Sequence, residues 1–342
     1  MKHFRLTKML VFIFILSYFL SLPGLSGQAG QEKAKEKIYI PKALKKVMSE
    51  GQKSGATRQD ILFEMQKSLF LPAQDNYFVI FIFQMKNKDM ALLSSTKNKE
   101  KNKEASISAE NNRKAEFNLF LWFFKEEGGV SQSFKETYVP TQLEFDSDPA
   151  HLEDINTYTV CSILPCGKYR LSMAMTSLDL KRIGTYYYNF SLPEHSALGE
   201  KLAVTPVFFV KSIKELLEPE IPPVVHRDVF VYSAVEIQPK LESIFAPGET
   251  PDIFYYIYGC QADAANPQKF EIEITYNVKK GEEEVIKYSP KIFNFPIISH
   301  QIPLKKEKDE DLEPGVYELE ISIKDNFSQR NFKETVQFEV RG

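Results

Sequence analysis

Hydrophobic positions along this chain alternate far more often than they recur every three or four residues. Phe270, Ile272, Ile274, Tyr276 and Val278 face one way, and Glu271, Glu273, Thr275 and Asn277 face the other. That period of two predicts a half-buried antiparallel strand. Further strands are predicted at 62–71, 77–84, 116–125, 158–161, 169–176, 185–192, 229–237, 253–260, 285–288, 292–304, 317–323 and 332–340. Two of these, YFVIFIFQ at 77–84 and EFNLFLWFFK at 116–125, are apolar on both faces. A simple sandwich sheet has one wet face, so their outer faces must be covered or must bind something. The helical period appears in a short piece after Pro41, where Ala43, Leu44, Val47 and Met48 share a face and Gly51 is placed to end it. Residues 212–217 also read as one or two helical turns.

The pattern at the N-terminus is different. Lys2, Arg5 and Lys8 precede the apolar run 9–22, a Pro23–Gly24 break, and small residues at Gly27 and Ala29. This reads as a secretory signal peptide over 1–29. As a helix the run would rise about 21 Å, against roughly 30 Å of hydrocarbon, which argues against an uncleaved anchor. No later stretch is apolar enough to span. Loss of the three basic residues takes the formal net charge from -3 to -6. Charges of both signs are mixed along the chain with no basic stripe, so nucleic acid is not an expected partner.

These signals give the following organisation: signal peptide 1–29, polar lead and helix 30–55, a first β-sandwich 56–215, a Pro-rich linker 216–227 (EPEIPP at its heart), and a second sandwich 228–342. Residues 86–114, with KNKEKNKE, read as a long solvated loop in the first sandwich. The fold class is therefore all-β: two tandem antiparallel immunoglobulin-like β-sandwiches with a short helix after the signal peptide.

An internal repeat supports this. LPCGKYRL at 164–171 matches LEPGVYEL at 312–319, and both continue as alternating strands: Tyr169, Leu171, Met173 and Met175 in one, Tyr317, Leu319, Ile321 and Ile323 in the other. A tyrosine just after such a turn can donate its hydroxyl to upstream backbone, a tyrosine corner, so Tyr169 and Tyr317 are structural candidates. The motif L-x-P-G-x-Y-x-L resembles fibronectin type III and related immunoglobulin-like domains. Its longer form is similar to the C-terminal sandwich domains of bacterial exported GWxTD-domain proteins and of secreted proteins with von Willebrand A-like domains. The GWxTD motif and a metal-binding D-x-S-x-S are absent, and Cys166 stands where the first copy should have Pro. The resemblance implies a sandwich, points to bacteria and says nothing about activity; with the signal peptide, periplasmic or extracellular residence is expected.

Candidate chemistry is sparse. Cys161 and Cys166 are candidates for a disulfide in an oxidising compartment; two separate thiols are the alternative. His151, His195, His226 and His300 lack a second ligand at zinc spacing, and the acidic loop around His151 lacks the EF-hand pattern. No nucleophile elbow, phosphate loop or dinucleotide turn occurs, so no catalytic residue, metal or cofactor is expected. Phe120, Trp122 and Phe124 share the outer face of the aromatic strand and are the candidate ligand contacts. The reading is a non-enzymatic exported module that binds another envelope or extracellular protein. A carbohydrate-binding module using those aromatics is the alternative, with a glycan as partner.

Overall fold

The computed structural model describes residues 39–93, 112–194, 201–306 and 310–342. The expected signal peptide lies outside the described residues. In chain order the elements are α1 (Lys42–Ser54), β1 (Glu64–Ala73), β2 (Asn76–Lys86), α2 (Asn87–Leu93), β3 (Asn112–Glu127), β4 (Val130–Asp146), β5 (Ile155–Leu164), β6 (Gly167–Ser177), β7 (Ile183–Leu192), β8 (Ala203–Val204), β9 (Phe208–Glu215) and β10 (Val225–Arg227). There follow β11 (Phe230–Tyr232), β12 (Val235–Lys240), β13 (Ile244–Phe245), β14 (Asp252–Tyr258), β15 (Ile272–Lys280), β16 (Glu283–Lys287), β17 (Lys291–Phe293), β18 (Ile297–Gln301), β19 (Gly315–Asp325) and β20 (Asn331–Val340). The architecture is antiparallel β-sandwich, organised as two pairs of sheets.

The chain divides into two compact units. The first holds the described residues up to Ser68, with Ala73–Leu192 and Leu217–Ala234; the second holds Leu69–Pro72, Pro193–Leu216 and Val235–Gly342. Several local expectations change. Residues 212–217 are not helical: Ser212–Glu215 is the end of strand β9, which pairs with β12 and β14. The Pro-rich segment 216–227 contains β10, antiparallel to β5 through Val225↔Val160. Helix α1 runs through Gly51 to Ser54, and Gly55, at φ 75°, closes it with its N–H on the Gly51 carbonyl. Part of the expected loop 86–114 is helix α2, and the stretch 94–111 lies outside the described residues. Helix α2 forms because tertiary contacts hold it. Met90 and Leu93 are buried, Asn87 Nδ2 donates to the His151 carbonyl at 2.8 Å, and Asp89 Oδ1 accepts from the Leu62 N–H at 3.1 Å.

In the first unit one sheet runs β1-β2-β5-β10 and the other β4-β3-β6-β7. Their facing sides meet through rings: Phe81 lies 5.7 Å from Phe123 and 5.2 Å from Phe190. The outer face of β2 and β5 is also dry, which explains the two-faced apolar sequence of β2. Phe78 packs on Tyr232 at 5.3 Å, and the Thr159 hydroxyl donates to the Val229 carbonyl at 2.6 Å. The segment after residue 217 therefore covers that face.

The second unit repeats the frame. Its sheets run β12-β9-β14-β18 and β13-β20-β19-β15-β16. Strands β2, β3, β4, β5, β6 and β7 correspond in order and pairing to β14, β15, β16, β18, β19 and β20. The core is aliphatic and aromatic, with Ile253, Ile272, Ile274, Val278, Ile298 and Ile321 at 0–1 % exposure. Inside it the Tyr255 and Tyr276 hydroxyls satisfy each other at 3.0 Å. The short strand β13 joins β20 in parallel, Ile244↔Glu339 and Phe245↔Val340.

The two corners match in detail. Tyr169 Oη donates to the Pro165 carbonyl at 2.9 Å, and Tyr317 Oη donates to the Glu313 carbonyl at 2.7 Å. Gly167 and Gly315 before them take φ of 145° and 158°. A Cβ on Gly167 would come within 2.6 Å of Lys125 Cε, and one on Gly315 within 3.2 Å of Lys280 Nζ. Each tyrosine also stacks on its cross-strand partner, Phe190 at 5.3 Å and Phe338 at 5.6 Å. The repeat seen in eight residues thus extends to a lysine on one neighbouring strand and a phenylalanine on the other.

Candidate functional site

The site is the outer face of the sheet β4-β3-β6-β7. Its register sets side chains in rows across the strands. One row is Tyr138–Phe120–Ala174–Thr185, the next Glu136–Trp122–Ser172–Tyr187, the next Ser133–Phe124–Arg170–Asn189. Beyond these lie Glu126, Lys168 and Ser191.

Helix α1 occupies the first two rows. Leu44 and Met48, four residues apart on one face of the helix, and Ile40 just before its N-cap Pro41 pack on Phe120, Trp122 and Ala174. Lys45 holds the helix at one side, its Nζ 4.8 Å from the Trp122 ring centroid and paired with Glu136. Tyr187 holds it at the other, donating to the Met48 carbonyl at 3.2 Å. The indole N–H of Trp122 donates to Ser133 Oγ at 2.8 Å. Phe120 and Trp122 are 3 % and 6 % exposed. Of the three aromatic residues singled out in the sequence, two are therefore covered, and Phe124, half-buried and 4.4 Å from the Trp122 ring, stands at the margin.

Past that margin no helix covers the face among the described residues. Phe124, Glu126, Ser131, Lys168, Arg170 and Asn189 line a groove of about 430 Å³ to which α1 contributes nothing. Arg170 is half-buried there and its Nε is sealed from solvent with no hydrogen-bond partner among the described residues. Sequence reading passed over Arg170, because only the cross-strand register shows that it lies opposite Phe124.

The remaining candidates lie elsewhere. Cys161 and Cys166 are separate thiols. Cys161 sits opposite Ile80 on the outer face of its sheet and is 3 % exposed, and burial pushes its thiol well above the ordinary range, with Glu220 adding to the effect. Cys166 is in the corner turn before Tyr169. His151 pairs with Asp146, which holds that imidazole up, while the Asp148 N–H and then His151 hold the Asp146 carboxyl down, and His226 Nε2 lies 2.7 Å from Glu220 Oε1. His195 lies outside the described residues. Among the described residues no group of three or more His, Cys, Asp or Glu is placed to hold a metal ion, and no helix is long and apolar enough to cross a membrane.

No protein-family model matches the chain, and no curated protein matches it. Among solved structures it is similar to dimeric latent PorU from Porphyromonas gingivalis, at 7 % identity and a TM-score of 0.29 over 82 % of this chain and 20 % of that one. It is also similar to trypsin-activated alpha-2-macroglobulin from Escherichia coli, at 9 % identity and a TM-score of 0.21 over 84 % of this chain and 17 % of that one. Salmonella alpha-2-macroglobulin reacted with methylamine gives 11 % and 0.19, over 83 % and 16 %. The chain spans about a fifth or less of the length of these proteins, and likenesses this weak carry nothing about activity.

Proposed function

We propose that the chain is a non-enzymatic exported module that binds another protein, in the cell envelope or outside the cell. One observation carries this reading: a single frame appears twice, and the copies differ on one face. In the second unit the positions equivalent to Phe120, Trp122 and Phe124 are Thr275, Asn277 and Lys279, and those equivalent to Arg170 and Ser172 are Glu318 and Glu320. That face carries polar and charged side chains in place of rings, with Lys279 and Lys333 paired to Glu320 at 2.7 and 3.1 Å and Asn277 Oδ1 buried without a hydrogen-bond partner among the described residues. In the first unit the same face carries a helix, an aromatic cluster and an unpaired arginine. Conserving a frame while altering one face is what a scaffold with a binding surface requires. The signal-peptide pattern of residues 1–29 supports export.

A photo-reactive residue at Asn189 tests the reading, with one at Gln337, its equivalent in the second unit, as control. In the native host, Asn189 should cross-link to a discrete protein in the extracytoplasmic fraction and Gln337 should not. Adducts from neither position, or equally from both, would reject it. The carbohydrate alternative needs open rings, and Phe120 and Trp122 lie beneath α1.

A further inference from the structure

Arg170 calls for a partner. Its side chain makes no hydrogen bond or ion pair among the described residues, and its Nε is buried without an acceptor. A half-buried guanidinium left unpaired carries a desolvation cost that a stable fold has no reason to keep. Its equivalent in the second unit is Glu318, which accepts from Gln337 Nε2 at 3.4 Å, so the frame does not demand a cation here.

Lys168, two residues before Arg170, is exposed on the same face and makes no ion pair among the described residues. Alternate residues of a strand lie about 6.7 Å apart on one side. An extended polypeptide has the same spacing, so acidic side chains at its positions i and i+2 match the two cations one to one. Asn189, Ser131 and Ser191 flank the groove with amide and hydroxyl groups, and Glu126 is its one carboxylate, so the two cations leave the lining net positive. A sugar acid would use the cations too, but it also needs an open ring to stack on. The Phe124 ring is already against Trp122.

We infer that the groove around Phe124 receives an extended acidic segment of a partner protein, with two of its carboxylates on Arg170 and Lys168. The inference rests on the protein-binding reading above and gives it a ligand chemistry. Two paired charges in a partly dry groove form charge-assisted hydrogen bonds, so contact should be specific for carboxylates and weaken with salt.

The test is calorimetric titration of the chain without residues 1–29 against three probes: a ten-residue Glu-Thr alternating peptide, its Lys-Thr counterpart, and an oligogalacturonate. Only the Glu-Thr peptide should bind. Arg170→Gln should weaken it about tenfold or more and Lys168→Gln severalfold. The melting temperature of Arg170→Gln should equal or exceed that of the parent, since no side-chain hydrogen bond or ion pair among the described residues is lost. No binding of the Glu-Thr peptide, equal binding by parent and Arg170→Gln, tighter binding of the oligogalacturonate, or a melting temperature lowered by Arg170→Gln would each overturn the inference. The Asn189 cross-link separates the two claims: if it persists in Arg170→Gln, the module still binds protein and only the acidic-segment assignment falls.

Discussion

The Tyr187 hydroxyl lies where any side chain on Gly51 would have to be: a Cβ there would fall 2.0 Å from Tyr187 Oη and 2.5 Å from the Ala56 carbonyl oxygen. A mid-helix glycine costs helix stability, and here it allows α1 to approach the sheet closely enough for Met48 to bury against it. Gly51→Ala should therefore lift the end of α1. We expect about 1–3 kcal/mol of destabilisation, as for other overpacked sites. Trp122 is the chain's single tryptophan, so its emission reports directly: blue and poorly quenched in the parent, red-shifted and quenchable in Gly51→Ala. Superimposable spectra would reject the close-approach role of the glycine.

Removing either corner hydroxyl breaks a partly buried hydrogen bond and leaves the Pro165 or Glu313 carbonyl without that donor. Tyr169→Phe and Tyr317→Phe should each cost about 1 kcal/mol. Denaturant titration followed by circular dichroism measures this, and midpoints equal to the parent's would mean that the bonds at 2.9 and 2.7 Å contribute nothing to stability.

The two thiols of the first unit should differ in reactivity. In the folded chain a thiol reagent should modify Cys166 and spare Cys161, which is buried and held in its protonated form. Cys161 should react once the chain is unfolded. Mass spectrometry of non-reduced peptides should find both unpaired; a bridged peptide would contradict the structure.

His300 should make the second unit acid-sensitive. Its ring stacks on Tyr276 at 5.2 Å and meets Phe293 edge-on at 5.8 Å, and the Lys291 ammonium donates to its Nε2 at 3.0 Å. Burial, with Lys291 beside it, brings its pKa down to about 4 from an ordinary 6.5. Between those values the unfolded chain binds a proton that the folded chain does not. The stabilisation is complete above pH 6.5 and is lost as pH falls through that window toward 4. Denaturation midpoints at pH 7 and pH 4.5 should drop more for the parent than for His300→Gln; identical drops would remove His300 as the cause.

What was legible in the sequence was whatever is written locally. The corner motif, the alternation of β15 and the stripe of α1 each depend on neighbours within a few residues. Helix α2 was missed because its buried Asn87 and Asp89 look like loop residues until His151 and Leu62 are brought to them. Strand β9 was mistaken for helix because KSIKE alternates poorly, and it is its pairing with β12 and β14 that makes it a strand. The site was half legible. Three aromatic residues on one face announced an unusual surface, but their cover by α1 and the exposure of the groove around Arg170 are set by register and packing.

The parallel joint between β13 and β20 gives the second unit a mechanical property. Ser243 and Phe245 accept from the Glu339 and Arg341 amides at 2.8 and 2.9 Å. Tension entering the chain ahead of β13 and leaving beyond β20 pulls these two parallel segments in opposite directions. The bonds are then loaded together in shear instead of peeling one after another, and β20 is gripped on its other side by the full length of β19. The short β13 thus ties the last strand of the unit to the chain between β12 and β14 through bonds that share a load applied along the strands.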